Sequence, residues 1–423
     1  MYFTKIRSRY HFIIFQKLLL ASLLISFLSA FLSIILKHIT EKYETIFFFK
    51  ASNNWVYFLI FPIFGLSIIY FLRLYLFQNK ANKGITEIFE AIHSKSKRLP
   101  LYKIPSHFIN GLLTVTFGGS TGIEVSTVVA TAAIGNVTFK KKKLLSNYKT
   151  ELICAGITAG ITVLFCSPIA GILFSMEVIS KKRNWIFFLT NSISLLVSLG
   201  LLLFFDEKPL FTITITTWHL HAIPYFILLG ILAGLNSVYL TKMVLFFKAQ
   251  FGKLTVHYYR ILLGASILSI CLLLLPQLYG DGYTAVRELL GQINSSITLL
   301  SMATLVGVLL LKPIVTSATL ATGGDGGVFA PSLVIGAFLG FLVATIINHS
   351  FNANVIPVNF VVIGMAAVLS ASIQAPFTAL FIVCGMINNY TLFFPLLMVC
   401  LIAKQTSKII FPFTVYNYSA SPK

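Results

Sequence analysis

Three carboxylates, Glu124, Glu177 and Asp325, stand in parts of the sequence that are otherwise apolar or glycine-rich. Glu124 ends the glycine run of FGGSTGIEVST at 117–127 and opens an apolar stretch. Asp325 lies within TGGDGGVFAPS at 322–332, and Glu177 closes an apolar stretch just before the basic run SKKR. A helix that starts after glycine leaves its first N–H groups free and carries roughly half a positive charge at that end. Glycine also lets an ion approach the backbone closely, so the ligand such starts suit is an anion. Glu124 is placed where its own carboxylate could take the N–H-lined position that a passing anion would use. The alternative is an ordinary helix-capping acid. Asp325 reads as a brace of its glycine loop, and Glu177 either as a solvated boundary acid or as a functional one. A cation pathway would call on more carboxylates, and of the twelve acids only these three are expected in apolar or glycine-rich sequence.

Other chemistries find little support. Cys154, Cys166, Cys271, Cys384 and Cys400 sit singly in apolar segments with no CxxC pair, and no HExxH motif accompanies the eight scattered histidines. Neither a disulfide framework nor a metal site is expected. No cofactor is expected, and an intramembrane enzyme is the weakest of the readings.

The elements that carry these residues belong to a membrane protein. Of the 423 residues 57% are hydrophobic and 10% charged, against roughly a quarter charged in an ordinary soluble chain. Mean hydropathy is +0.89, and apolar stretches of about 20 residues, the length that crosses the hydrocarbon core, recur near 11–36, 55–78, 152–179, 185–205, 222–247, 259–277, 298–318, 356–383 and 391–411. The first is too long for a signal-peptide core and reads as a retained span. Shorter apolar pieces at 108–117 and 333–347 adjoin the glycine loops, while CSPIAG at 166–171 and QAPFTA at 374–379 carry proline. Such broken backbone is tolerated in a bilayer only where it is buried in protein or lines a cavity.

The formal charge of +20 would suggest nucleic acid in a soluble protein. Here the basic residues cluster in short connections: Lys5, Arg7 and Arg9, the stretch from Lys80 to Lys103, Lys140 to Lys149, and Lys181, Lys182 and Arg183. That is the signature of cytoplasmic loops facing anionic lipid headgroups, and no nucleic-acid partner is expected.

The interruptions repeat. Gly118 and Gly323 are 205 residues apart, and Gly156–Gly364 and Pro168–Pro376 are each 208 apart. The expectation is an all-α polytopic protein of two halves, residues 1–205 and 222–423, joined by a linker at 206–221. In such duplicated transporters the substrate site lies between the halves at mid-membrane.

On these residues the sequence resembles the CLC family of chloride channels and chloride/proton exchangers. GGSTGIEVSTVVATAAIGN at 118–136 looks like the glycine-rich loop that ends in the family's GREGP motif. SPIAGILFSMEV at 167–178 looks like its AP(L)AGxLFxxEE segment, and GGVFAPSLVIGAFLG at 326–340 is similar to its GGxFxPxLxxGAxxG motif. GMAAVLSASIQAPFTALFIV at 364–383 and a tyrosine near the C-terminus follow in the family's order. The resemblance implies a homodimer whose subunits each hold an anion pathway, built from inverted-topology halves with broken and partly spanning helices. It implies Glu124 as the gate within Gly122, Ile123 and Glu124. It also implies anion binding by Val328 and Phe329 of the loop Gly327–Pro331 and by Tyr416, with Tyr418 the competing alignment.

The departures matter too. The family's first anion loop, GSGIP, appears as NKGIT at 82–86, so Lys83 replaces a serine beside Gly84 and Ile85. Its ammonium either attracts the anion or snorkels to a vestibule. GREGP is reduced to GIEVS. Of the two adjacent glutamates usual in exchangers, Glu177 matches the first and Val178 stands at the second, the internal proton-transfer position. The function expected is therefore anion transport, chloride foremost, channel-like with Glu124 as gate. The alternative is proton-coupled exchange of chloride, nitrate or fluoride. A bacterial inner-membrane location is expected, as is the absence of the nucleotide-binding regulatory domains that follow the core in some relatives.

Overall fold

The computed structural model describes residues 2–77, 82–94, 99–141, 143–293 and 299–418, and among these the chain is all-helical, with one isolated backbone bridge and no strand. In chain order the helices are α1 (Tyr2–Asn53), α2 (Val56–Tyr75), α3 (Ile85–His93), α4 (Lys103–Thr116), α5 (Glu124–Lys141), α6 (Lys149–Phe165), α7 (Pro168–Phe174), α8 (Trp185–Phe204), α9 (Ile223–Gly252), α10 (His257–Leu274), α11 (Tyr283–Gly291), α12 (Leu299–Thr322), α13 (Phe329–Phe351), α14 (Pro357–Ile373), α15 (Pro376–Ile387) and α16 (Phe393–Ile410). Eight helical segments among the described residues are long and apolar enough to cross a bilayer. The rest, apart from the 18-residue α5, are too short, which is what helices that begin or end inside the membrane must be. Lys80 and the basic residues at 95–98 lie outside the described residues, as do the side chains of Lys5, Arg7, Arg9 and Lys140–Lys143.

The apolar stretches at 152–179 and 356–383 are each two helices rather than one. α6 ends at Cys166 and α14 at Gln374, both in the left-handed conformation, with φ of 50° and 55°. Each is followed two residues later by the proline that opens the next helix, Pro168 or Pro376. A proline cannot continue the preceding helix's hydrogen bonding, and it biases the residue before it away from helical torsions. The same stop at the same 208-residue spacing shows the repeat in backbone conformation as well as in sequence.

The repeat extends to packing. α5 lies on α6 and α13 on α14. In the first pair a Cβ at Gly156 would strike the Thr131 carbonyl, and in the second a Cβ at Gly364 would strike the Gly336 carbonyl. Small residues at these crossings let backbones meet directly, the main route to tight helix association where lipid is as apolar as leucine. α13 shows the result: its mean hydropathy is 2.2, yet 89% of its apolar window is buried in protein rather than facing lipid.

Two sequence expectations need correction. The apolar run at 11–36 is only part of a helix of 52 residues, about 78 Å long. Its later turns carry Lys37, Thr40 and Glu44 into the protein, each 7% exposed or less. The buried acids are therefore not only Glu124 and Asp325 but also Glu44, Glu151 and Asp281, while Glu177 is half-buried. None of the three sits inside a long apolar run, Glu44 and Glu151 standing at the edge of one and Asp281 between two glycines, so protein rather than lipid covers them.

The connection between α8 and α9 has no regular structure over 207–219, yet it is anchored. Phe211 and Ile215 are buried in the core, and Lys37 Nζ of α1 donates to Glu207 Oε2 at 2.7 Å. Burial alone would push the Glu207 carboxyl up, but the Lys37 ammonium and the His38 ring outweigh it and hold the group below its ordinary value. A carboxylate lowered on folding stabilises the fold above its unfolded pKa, and that stabilisation is lost as pH falls through the folded value. Glu207→Gln should accordingly lower the melting temperature at pH 7. The gap from the parent protein should close below about pH 4 in thermal denaturation followed across pH. A constant gap would remove this ion pair as the anchor.

Candidate functional site

Two helix starts, those of α3 and α13, pack against the start of a third, α5. α5 begins at Glu124 itself, α3 follows Gly84, and α13 follows Val328. At the starts of α3 and α13 no side chain caps the first turn, so the N–H groups that side chains commonly satisfy are left for another acceptor. Gly84, with φ of 61°, faces Val125, 3.3 Å from where its Cβ would stand. Gly122 and Gly327 pair across an antiparallel bridge, which locks the two glycine loops to each other. A Cβ at Gly327 would lie 2.9 Å from the Tyr416 hydroxyl. That hydroxyl accepts from the Val328 N–H at 3.4 Å, leaving its own proton to offer. Tyr416 is 7% exposed and Tyr418 46%, so the former is the tyrosine at the site.

Glu124 is 2% exposed. Its Oε1 accepts the Tyr283 hydroxyl at 2.7 Å, while Oε2 makes no side-chain hydrogen bond. A Cβ at Gly122 would collide with this carboxylate, so the glycine makes room for it. Ile123 is buried in the same loop, and Phe329 packs against Phe174 with ring centres 5.6 Å apart, which ties the start of α13 to α7.

Asp325 braces its loop. Its N–H donates to Thr114 Oγ1 at 2.9 Å, and its carboxylate takes the Asn82 amide and approaches His107 Nδ1 at 3.3 Å. Lys83 does not join the buried group. Its side chain is 64% exposed with Nζ 3.8 Å from Glu90, and its N–H donates to Glu87 Oε1 at 2.6 Å.

On the face that carries the basic connections, a cavity of about 740 Å³ reaches inward to Tyr416. Its lining includes Glu177, Val178, His93, Lys181 and Lys182. Glu177 is held by the first turn of α15, where Oε2 accepts the Thr378 N–H at 2.8 Å and its hydroxyl at 2.7 Å. The arrangement therefore offers a positively lined mouth, a tyrosine hydroxyl at its inner end, uncapped helix starts beyond it, and a buried carboxylate among them. Among the described residues no group of three His, Cys, Asp or Glu side chains is placed to hold a metal ion.

Sequence reasoning passed over Tyr283 and Lys312. Lys312 is fully buried in α12, and Nζ donates to the Leu278 and Gly280 carbonyls at 3.1 and 3.2 Å. A lysine in the middle of an apolar run was a readable signal, reinforced by its spacing of 205 residues from His107, which the glycine loops share. Tyr283 carried only the glycine punctuation of YGDGY.

A family model described as voltage gated chloride channel matches residues 64–408. The H(+)/Cl(-) exchange transporters ClcA of Salmonella paratyphi B and Salmonella newport are each 25% identical over 366 residues, 81% of this chain and 75% of theirs. Among solved structures, a slow cyanobacterial Cl-/H+ antiporter superposes with a TM-score of 0.81 at 22% identity, covering 95% of this chain and 96% of the other. A CLC-type fluoride/proton antiporter gives 0.79 at 23% identity, covering 95% and 97%.

Proposed function

Because the chain belongs to the voltage-gated chloride channel (CLC) family, whose fold and membrane-embedded anion transport it shares, we propose that it exchanges a small anion, chloride foremost, for protons. The observation that carries this reading is the buried Glu124 carboxylate at the start of α5, beside the uncapped start of α13 and the Tyr416 hydroxyl. Ionised, Glu124 competes with the anion for these donors. Protonated, it gives up the competition, and the proton it has taken is the one that moves. Gly84, Ile85, Gly122, Ile123, Val328 and Phe329 supply backbone to the site, and Lys83 acts at the mouth rather than on the central ion. Exchange is favoured over the channel-like reading because relatives over most of the chain are named as exchangers or antiporters.

A channel remains the second reading on one specific observation: Val178 stands in the wall of the inner cavity, where valine carries no proton. Exchange then requires Glu177, which lines the same cavity, or water to deliver protons from that face. Chloride and proton fluxes recorded together from purified protein in liposomes separate the two. Proton uptake driven by an outward chloride gradient is the result expected, and chloride flux with no proton movement would replace exchange by the channel.

Two copies pairing as a homodimer, halves meeting through the connection at 206–221, and residence in a bacterial inner membrane belong to the same proposal. Mass measurement of the detergent-solubilised protein tests the first.

A further inference from the structure

We propose that Tyr283 is the positioning residue for the gate: its hydroxyl latches the Glu124 carboxylate and so sets the pH at which the pathway opens. The inference rests on the reading of Glu124 as the gate. Among the described residues Tyr283 is the one side chain that donates to Glu124, at 2.7 Å, and it is 7% exposed. A hydrogen bond to an ionised acceptor is stronger than one to a neutral acceptor, so the phenol favours the carboxylate that blocks the site.

The phenol is held rigidly. Tyr283 opens α11 directly after the turn Gly280–Asp281–Gly282, whose glycines have φ of 56° and 86°. Three bonds clamp that turn. The Asp281 N–H donates to Glu44 Oε1 of α1 at 3.0 Å, the Tyr283 N–H donates to Asp281 Oδ1 at 2.8 Å, and Lys312 of α12 donates to the Gly280 carbonyl at 3.2 Å. The ring stands edge-on to Phe211 of the connection between α8 and α9, with centres 5.9 Å apart at 84°. The latch thus reaches Glu124 from the other half of the chain, 159 residues away. The titratable and charged groups around the pair are Asp281 of the same turn, Glu44 of α1, Lys312 of α12 and Tyr416 beyond Glu124. None of these side chains hydrogen-bonds to Glu124 among the described residues.

The test is anion efflux from liposomes as a function of pH. Tyr283→Phe keeps the ring and removes the donor, and should move the pH midpoint of flux upward by about one unit, the tenfold change in protonation that loss of one charge-assisted bond brings. A ring-fluorinated tyrosine at 283 strengthens the donor and should move the midpoint downward. Opposite shifts from one position cannot come from a packing defect. In a Glu124→Gln background, where no carboxyl titrates at the site, Tyr283→Phe should leave the pH profile flat. A wild-type midpoint in Tyr283→Phe, or a pH dependence that Tyr283→Phe brings to the double variant, overturns the latch while a flat Glu124→Gln profile leaves the gate standing. A wild-type profile in Glu124→Gln alone overturns the gate and the latch with it.

Discussion

Glu124→Gln should flatten the pH dependence of anion flux and abolish proton movement coupled to it. Glutamine keeps the size and a hydrogen-bonding oxygen for Tyr283 but carries neither charge nor an exchangeable acid proton at the site. In the parent protein two influences oppose each other at this carboxylate. Burial in a low dielectric favours the neutral acid, and the Tyr283 hydroxyl with the neighbouring helix-start amides favours the ion. Flux governed by a single titrating carboxylate changes about tenfold per pH unit on the side of its midpoint where the blocking form dominates. Between pH 5 and pH 8 the parent is therefore expected to vary by tens-fold, and Glu124→Gln by about twofold or less. The measurement is chloride efflux from liposomes at matched protein density, with proton uptake read in the same sample. A parent-like profile in the variant would take Glu124 out of the gate, and the convergence of helix starts would then need another ion to explain it.

Legibility from sequence followed what covers each residue. Where a helix is broken by glycine or proline inside apolar surroundings, the break itself is visible, and Glu124 and the paired stops before Pro168 and Pro376 stood out that way, whereas Tyr416 came only from the family resemblance. Where a polar residue is buried by protein in a stretch of mixed composition, nothing local distinguishes it from a surface residue. Glu44 and Asp281 are of this kind, since they come together only because α1 runs past its apolar part and the turn before α11 folds back onto it. Tyr283 is harder still, because its meaning lies in a contact 159 residues distant. Lys83 shows the reverse case. A basic residue in a motif position looked able to face the anion, yet the acids one and two turns along α3, Glu87 and Glu90, engage its N–H and ammonium instead.

The same logic gives the second large effect. Gly364→Val should fail to yield folded protein, and Gly364→Ala should fold with a melting temperature several degrees lower. Both neighbours of this glycine are backbone. A Cβ there would overlap the Gly336 carbonyl oxygen, with the Gly336 carbonyl carbon at 3.1 Å and the Gly340 Cα at 3.2 Å. Backbone where two helices cross in the buried interior has no rotamer to yield, so α13 and α14 must separate. Overpacking of this sort costs typically 1–3 kcal/mol per small increment, and here it strikes the helix whose start belongs to the proposed anion site. Gly156→Ala in the other half should behave alike, because its Cβ would meet the Thr131 carbonyl of α5 and the Ile25 side chain. Gly200→Ala in α8 is the control: nothing lies within 4 Å of its Cβ, and alanine in a helix interior is if anything the better residue. Heating each variant in detergent and following the surviving folded peak by size exclusion ranks them. Should Gly364→Ala and Gly200→Ala survive equally, the close backbone contact between α13 and α14 would not be what holds the start of α13 in place, and the repeat in packing would lose its structural meaning.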